Sequence, residues 1–266
     1  HAAIEASQPD ILIHLAARVG GIGANMNAPA SLYLENLVLG TNVIEAARHA
    51  SVDKTLVVGT ICSYPKHTPV PFQESSLWTG YPEETNAPYG IAKLAQLVHL
   101  QANRAQYGQN GVYVMPTNLY GPGDNYHLEN SHVVPALIRR FHEAKEHNLD
   151  QVVVWGSGTP KREFLYVDDM AVASLFVLKL DEKTYKTNTQ PMLSHINVGT
   201  GTDVTIRELA ETIKDVVGFT GKILFDQTKP DATMRKLLEV ARLGLLGYSA
   251  PTSLRTGLEL AYADFL

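Results

Sequence analysis

Hydrophobic and polar positions follow two alternating patterns from the start of the chain to about residue 200. Short apolar runs typical of strands are separated by longer stretches in which apolar residues recur with helical spacing. The predicted strands are residues 11–16, 55–59, 111–116, 152–155 and 195–198, and the predicted helices are residues 31–50, 86–107 and 132–147. This alternation predicts an α/β fold, a Rossmann-like doubly wound parallel sheet with helices on both faces.

The elements become shorter after residue 200. We predict a helix over 206–217 that is capped by Thr205, a short strand over 222–225, and a last helix that begins at Ser253. These elements favour a smaller α/β domain that closes over the sheet.

Polar and glycine-rich segments follow three of the predicted strands, at residues 18–23, 59–63 and 117–121. Ligands of a parallel α/β sheet bind beyond the carboxyl ends of its strands, so we expect chemistry where these segments converge. The glycines of segment 19–23 do not have the spacing of a dinucleotide fingerprint. We interpret this segment as backbone that lies near the cofactor and the substrate.

Tyr89 and Lys93 lie four residues apart on a predicted helix and therefore share one face. An ammonium beside a phenol lowers the phenol pKa, which would make Tyr89 a proton donor to a carbonyl oxygen. With a hydroxyl from Thr60 nearby, this is the acid–base apparatus of hydride transfer. Spacing alone also fits a surface Tyr and Lys on an ordinary amphipathic helix.

Composition limits the classes of function. The chain has 266 residues, of which 45% are hydrophobic, without a long apolar run, so we expect a soluble globular protein with no membrane span. The net charge of −5 provides no basic field for nucleic acid, and an anionic ligand must be held by local arginines. Cys62 is the single cysteine, which excludes an internal disulfide and favours a reducing, cytoplasmic compartment. The histidines lack metal-binding spacing, and no metal is predicted.

Six motifs follow one another along the chain: VGTICSYPK at 58–66, PYGIAK at 88–93, MPTNLYGP at 115–122, NSHVVPALIRR at 130–140, VWGSGTPKREF at 154–164 and KPD at 229–231. In this order they resemble the motifs of the GDP-L-fucose synthases, a family of extended short-chain dehydrogenases/reductases. The similarity runs from about residue 8 to the C-terminus. The resemblance implies NADPH-dependent 3,5-epimerisation and 4-reduction of GDP-4-keto-6-deoxy-D-mannose to GDP-L-fucose. The resemblance further implies that 1–121 plus 162–200 form an N-terminally incomplete dinucleotide-binding domain, and that 122–161 plus 201–266 form the substrate domain.

The resemblance implies five catalytic residues: Thr60, Cys62, Tyr89, Lys93 and His132. Cys62 and His132 would act as base and acid in the epimerisations, and a cationic His132 would lower the pKa of the thiol. Tyr89 would protonate the ketone oxygen while Lys93 tunes Tyr89 and bonds the nicotinamide ribose, and Thr60 would orient the carbonyl. Without the motifs, Cys62 reads as a small buried apolar residue and His132 as a helix-start residue.

The resemblance also implies the ligand contacts. NADP(H) is expected to contact Val58, Gly59, Thr60, Ile61, Tyr89, Lys93, Pro116, Thr117, Asn118, Leu119 and His132. The GDP-sugar is expected to contact Arg140, Trp155, Arg162 and Asp231. Arginine suits a pyrophosphate because its planar fork binds bidentately. Adjacent helical residues point in different directions, so only one of Arg139 and Arg140 is expected to take part.

Two departures from the family pattern stand out. No glycine-rich turn precedes His1, so we expect the sequence to begin inside a domain; either roughly 50 further residues belong to the protein or this copy is a fragment. Thr60 stands where serine is frequent and keeps the hydroxyl. A homodimer through helices 31–50 and 86–107, as a four-helix bundle, is a further expectation from the family.

Two other functions stay open. A simple nucleotide-sugar 4-reductase or 4-epimerase of the same superfamily would need Tyr89 and Lys93, but not Cys62 and His132 as a pair. A catalytically silent binding subunit would share the fold, although it would have no reason to keep Thr60, Tyr89 and Lys93 together.

Overall fold

The computed structural model describes residues 2–20, 22–127, 131–229, 231 and 233–266. His1, Gly21, Asn130 and Pro230, which belong to segments discussed above, lie outside the described residues. In the part of the chain that the structure describes, no helix combines the length and apolar character needed to cross a membrane.

The elements alternate as the apolar pattern predicts. The strands are β1 Ile11–His14, β2 Lys54–Val58, β3 Gly111–Pro116, β4 Asn118–Tyr120, β5 Gln151–Trp155, β6 Lys161–Arg162, β7 Phe164–Tyr166, β8 His195–Val198, β9 Val204–Thr205, β10 Lys222–Asp226 and β11 Arg235–Lys236. The helices are α1 Ala2–Ser7, α2 Ile22–Asn27, α3 Pro29–His49, α4 Ala87–Tyr107, α5 Val133–Glu146, α6 Val167–Lys179, α7 Glu182–Asn188, α8 Ile206–Val217, α9 Ala241–Leu246 and α10 Leu254–Phe265, with 3₁₀ turns at Ile61–Ser63 and Glu74–Ser76.

The main sheet contains four parallel strands in the order β1-β2-β3-β8. Successive side chains point to opposite faces of a strand. Val112 and Val114 of β3 therefore belong to one core cluster with α6, whereas Tyr113 and Met115 belong to another with α4. The predicted parallel α/β sheet with a helical layer on each face is confirmed.

A second lobe is built around β5, which pairs in parallel with β10, and around α5, α8 and α10. The predicted strand over 152–155 thus joins β10 rather than the main sheet. Its exposure alternates, because Val152 and Val154 are buried while Val153 and Trp155 are exposed. Such a strand covers the core with one face only, unlike β3, which is buried throughout.

Residues after β11 return to the main sheet. Leu238 packs in the core cluster on the α4 side, and Leu243 of α9 packs in the cluster on the α6 side. The paired strands β4 and β7 continue from the carboxyl end of β3 toward the second lobe. The lobes are thereby connected by several short segments close to the carboxyl edge of the sheet. The domain boundaries stay a prediction.

Candidate active site

The N-terminal turn of α4 positions Tyr89, and Lys93 lies one turn further along. Pro88 occupies the first turn, where its missing N–H costs no helical hydrogen bond. Lys93 is fully buried, with 0% of its surface exposed, and its Nζ lies 3.5 Å from Oε1 of Gln96. Burial lowers the pKa of Lys93 to about 8, because an ammonium loses its hydration there.

The predicted effect of Lys93 on Tyr89 is wrong for this structure. The pKa of Tyr89 is raised, chiefly by burial and further by the charge of Cys62. A buried phenol resists ionisation because the phenolate would lose its hydration. Tyr89 therefore holds its proton firmly at neutral pH.

Tyr113 of β3 packs between the main sheet and this part of α4. Its hydroxyl donates to the carbonyl oxygen of Lys93 at 2.9 Å. A Cβ on Gly59 would lie 2.3 Å from the Tyr113 ring, so only glycine fits at the end of β2. One aromatic side chain thus fixes the distance between β2 and the Lys93 turn.

Cys62 lies in the 3₁₀ turn Ile61–Ser63, directly after β2. Oγ1 of Thr60 accepts the N–H of Cys62 at 3.2 Å, and Oγ of Ser63 donates to the carbonyl oxygen of Gly90 at 3.0 Å. The Thr60 hydroxyl still has its own proton to donate. The turn therefore lies directly against the Tyr89 region of α4.

Arg162 interacts electrostatically with Cys62, while the pairing of Cys62 with His132 stays a prediction. Burial lowers the pKa of Arg162, while Cys62 and Asp231 act in the opposite direction. His132 is exposed at the N-cap position of α5, and its charge acts on the carboxyl group of Asp124. The structure therefore brings Cys62 together with Tyr89 and Arg162, and among the described residues it shows no interaction between His132 and the thiol.

The segment that follows β3 contains the predicted nicotinamide contacts. Pro116 ends the strand, Thr117 is buried, and Leu119 is exposed. The Thr117 hydroxyl and Nδ2 of Asn118 both donate to the carbonyl oxygen of Glu163, at 3.3 and 2.9 Å. Val58 and Ile61 flank Gly59 and Thr60 at the neighbouring strand end.

Two buried groups near these strand ends have unused hydrogen-bonding capacity. His14, the last residue of β1, is buried, and within the described ranges its Nε2 has no hydrogen-bond partner. Burial and the charge of Lys93 lower its pKa to about 4, which keeps the imidazole neutral. Among the described residues, the one hydrogen-bond acceptor of the Lys93 ammonium is Oε1 of Gln96, at 3.5 Å. These residues fit a polar cofactor bound at the carboxyl edge of the sheet.

The predicted GDP contacts lie on the second lobe. The guanidinium carbon of Arg140 lies 5.4 Å from the centroid of the Trp155 ring, and so does Nζ of Lys229. Arg139 instead pairs with Glu143 at 2.6 Å, so the structure leaves Arg140 as the arginine available to a ligand.

Asp231 orders the loop after β5. Its Oδ1 accepts the N–H of Ser157 at 2.9 Å, and its Oδ2 accepts the Ser157 hydroxyl at 2.6 Å. These bonds lower the pKa of Asp231, and Arg162 acts in the same direction. Asp231 thereby connects the Trp155 loop with the Arg162 side of the site.

Sequence reasoning missed two residues of this region. Lys229 stands in the same KPD motif as Asp231, so its charge was visible in the sequence. Glu163 follows Arg162 in the motif at 154–164, but no periodicity marked its burial. Within the described ranges, no cluster of three or more His, Cys, Asp or Glu side chains could hold a metal ion.

A parallel sheet with a half-buried tyrosine and a buried lysine one helical turn apart beyond its strand ends defines the class of nicotinamide-dependent enzymes of the short-chain dehydrogenase/reductase type. Residues 1–199 match the NAD dependent epimerase/dehydratase family. The chain belongs to this family.

Curated relatives are similar over most of the chain. GDP-L-fucose synthase of Escherichia coli (strain K12) is 55% identical over 251 residues, which cover 94% of this chain and 78% of the relative. GDP-L-fucose synthase 1 of Arabidopsis thaliana is 50% identical, covering 97% of this chain and 77% of the relative. A crystal structure of a GDP-L-fucose synthetase from Naegleria fowleri bound to NADP has a TM-score of 0.86 and 27% identity, covering 99% of this chain and 79% of that one.

Proposed function

We propose that this chain carries out the reaction of the GDP-L-fucose synthases. It converts GDP-4-keto-6-deoxy-D-mannose to GDP-L-fucose by epimerisation at C3 and C5, followed by reduction at C4. The observation that carries the proposal is the seating of the Cys62 turn on the first turn of α4, which places a thiol beside Tyr89. The names of the relatives at 55% and 50% identity support the same substrate.

Epimerisation uses the acidity that the C4 ketone gives to the hydrogens on C3 and C5. The Cys62 thiolate, or a group paired with it, removes a proton from the carbon, and the electron pair moves into an enolate. A proton returns to the opposite face from His132. Arg162 interacts electrostatically with Cys62 on the sugar side of the site.

Reduction depends on Tyr89 as proton donor. NADPH, when bound, supplies a hydride for C4. Tyr89 donates its phenolic proton to the ketone oxygen, and the Thr60 hydroxyl orients that oxygen. The raised pKa of Tyr89 keeps this proton in place at neutral pH until the oxygen develops negative charge. Lys93 would hold the nicotinamide ribose.

The ligands are divided between the two lobes. NADP(H) would be held by the strand-end residues Val58, Gly59, Thr60, Ile61, Tyr89, Lys93, Pro116, Thr117, Asn118 and Leu119, and His132 is a further proposed contact. The GDP part would be held by Arg140, Trp155, Arg162 and Asp231, with Lys229 as an additional cation. Arginine forks and the exposed Trp155 face suit a pyrophosphate and a sugar or base.

A homodimer through α3 and α4 completes the proposal. These helices pack side by side and present apolar residues to solvent, including Leu34 at 57% and Val98 at 47% exposure. Such a face is typical of a protein interface. The catalytic thiol requires a reducing compartment, which supports a cytoplasmic location. The two-domain division given above is proposed with the same boundaries.

The test measures NADPH consumption with GDP-4-keto-6-deoxy-D-mannose, together with the stereochemistry of the product. The native enzyme should yield GDP-L-fucose, whereas Cys62→Ser should fail to exchange the C3 and C5 hydrogens in deuterated water. His67→Gln, an exposed position in the same loop, is the matched control and should behave like the native enzyme.

Two results would contradict the proposal. NADPH oxidation that yields a product with unchanged C3 and C5 would indicate a simple 4-reductase. Binding of both ligands without oxidation would indicate a silent binding subunit.

A further inference from the structure

Glu163 is the single residue between β6 and β7, and its side chain is fully buried, with 0% exposed. Its Oε1 accepts the N–H groups of Thr200 and Gly201 at 2.7 and 2.8 Å. Its Oε2 accepts the N–H of Leu238 at 2.9 Å. One carboxylate therefore joins the loop after β8 to the segment after β11.

The backbone carbonyl of Glu163 contacts the segment that follows β3. Its carbonyl oxygen accepts the hydroxyl of Thr117 at 3.3 Å and Nδ2 of Asn118 at 2.9 Å. Thr117 and Asn118 are the proposed nicotinamide contacts. Arg162, the residue before Glu163, is the proposed substrate contact near Cys62. Glu163 thus lies between the cofactor side and the sugar side.

The loop after β8 is shaped to receive this carboxylate. A Cβ on residue 199 would lie 2.3 Å from Oε1 of Glu163, so only Gly199 leaves the necessary space. Burial raises the pKa of Glu163, while the three backbone N–H bonds favour the charged form. A buried carboxylate is costly unless all its acceptor positions are used, and here both oxygens have donors.

We propose that Glu163 is a positioning residue for the reduction stage and that it keeps the Thr117–Asn118 segment in the register that hydride transfer requires. This inference rests on the proposed function. A misplacement of about 1 Å between reacting groups costs on the order of 100-fold in rate. The Cys62 turn is held by α4 through the hydrogen bond of Ser63 to Gly90, a contact that does not involve Glu163, so the two stages should respond differently.

Glu163→Gln tests this directly. An amide has one acceptor oxygen, and its NH₂ group would face an N–H donor on one side, so at least one of the backbone bonds is lost. We expect reduction to slow about 10- to 100-fold. Deuterium exchange at C3 and C5, measured with NADP⁺ so that no reduction occurs, should stay within about threefold of the native rate.

Two further variants separate positioning from general destabilisation. Gly199→Ala keeps the carboxylate but displaces Oε1, and it should reproduce the selective loss of reduction. Asp169→Asn is the matched control, because Asp169 is another buried carboxylate, which accepts the N–H and the hydroxyl of Thr252 at 3.0 and 2.9 Å. It should lower the midpoint of thermal unfolding without changing the ratio of the two rates.

Amide hydrogen exchange provides a readout that does not depend on turnover. Faster exchange at residues 117–119 and 200–201 in Glu163→Gln, but not in Asp169→Asn, would support the positioning role. Unchanged exchange together with a native reduction rate would overturn it, as would equal losses in both stages. A native enzyme that is inactive with this substrate would contradict the proposed function. Amide hydrogen exchange at residues 117–119 would still test whether Glu163 positions this segment.

Discussion

Gly90 and Cys62 are in close contact across the boundary between α4 and the turn after β2. A Cβ on Gly90 would lie 2.7 Å from the carbonyl oxygen of Cys62, well inside a normal contact distance. The absence of a side chain at residue 90 therefore lets the thiol turn approach the residue that precedes Gly90, which is the proposed proton donor Tyr89. Both proposed stages depend on this contact.

Gly90→Ala should displace the Cys62 turn from α4. Because backbone atoms must move, we expect a loss of about 1–3 kcal/mol in the free energy of unfolding. The rate of deuterium exchange at C3 and C5 and the rate of ketone reduction should both fall by more than about tenfold. Urea unfolding and the two rate assays measure these effects. Gly244→Ala is the control, since its added Cβ meets nothing within 4 Å. Native rates in Gly90→Ala would contradict this interpretation.

Tyr89→Phe removes the proposed proton donor while it keeps the ring. Reduction should fall about 10²- to 10⁴-fold, because the ketone oxygen would lose its acid. Epimerisation, measured as deuterium exchange with NADP⁺, should continue. A variant that reduces the substrate at the native rate would exclude Tyr89 as the acid.

Lys93 should give the enzyme a pH dependence of known sign. Its pKa is about 8 in the folded protein, against 10.5 for a lysine side chain in water, so between these values the unfolded chain binds more protons. The Lys93 contribution to the free energy of unfolding therefore rises with pH over this window, by at most about 1.4 kcal/mol per pH unit. Turnover should instead fall as pH rises through about 8, because the ammonium is lost.

Lys93→Met should remove that stability slope. Chemical denaturation of both proteins across the window measures the difference. Identical slopes in the native enzyme and the variant would show that Lys93 does not titrate as its burial requires.

His14 and His195 should destabilise the fold in acid. Burial is the main cause that lowers their pKa values, to about 4 and about 3, from 6.5 for a histidine side chain in water. As pH falls below 6.5, the unfolded chain takes up protons that the folded protein excludes, so the free energy of unfolding decreases. This loss continues until the folded-state pKa values are reached.

Urea unfolding at about pH 7 and about pH 5 tests the acid effect. His195→Gln should lose less stability on acidification than the native protein, whereas His147→Gln, at an exposed position, should lose as much. Equal acid losses in all three proteins would rule out His195 as a source of the effect.

Local patterns predicted the elements that local physics determines. The predicted helix over 206–217, capped by Thr205, has its observed bounds, and the structure shows that Glu208 completes a capping box with Thr205. Strand β3 was also predicted at its bounds, as a buried apolar run. The ladder of β6, β9 and β11 was not predicted, because each strand has two residues and is defined by its partners.

The site was predicted unevenly for the same reason. Motifs marked Tyr89, Lys93 and Cys62, and helix spacing placed Tyr89 and Lys93 on one face. The direction of the Tyr89 pKa shift depends on burial and on Cys62, which no spacing reports. The choice of Arg140 over Arg139 depends on the pairing of Arg139 with Glu143. The role of Glu163 arises from three segments that are distant in sequence.

Tyr113 ties the proposed proton-transfer residues to the main sheet. Its ring lies against Gly59, and its hydroxyl donates to the Lys93 carbonyl oxygen. Strand β3 therefore helps to position the segments that carry Thr60 and Lys93. Arg140, Trp155 and Lys229, by contrast, belong to elements of that second lobe or its loops. Substitutions at these positions would leave the contacts of Tyr113 with Gly59 and Lys93 in place. The proposed substrate contacts and the proposed proton-transfer residues can therefore be changed independently of each other.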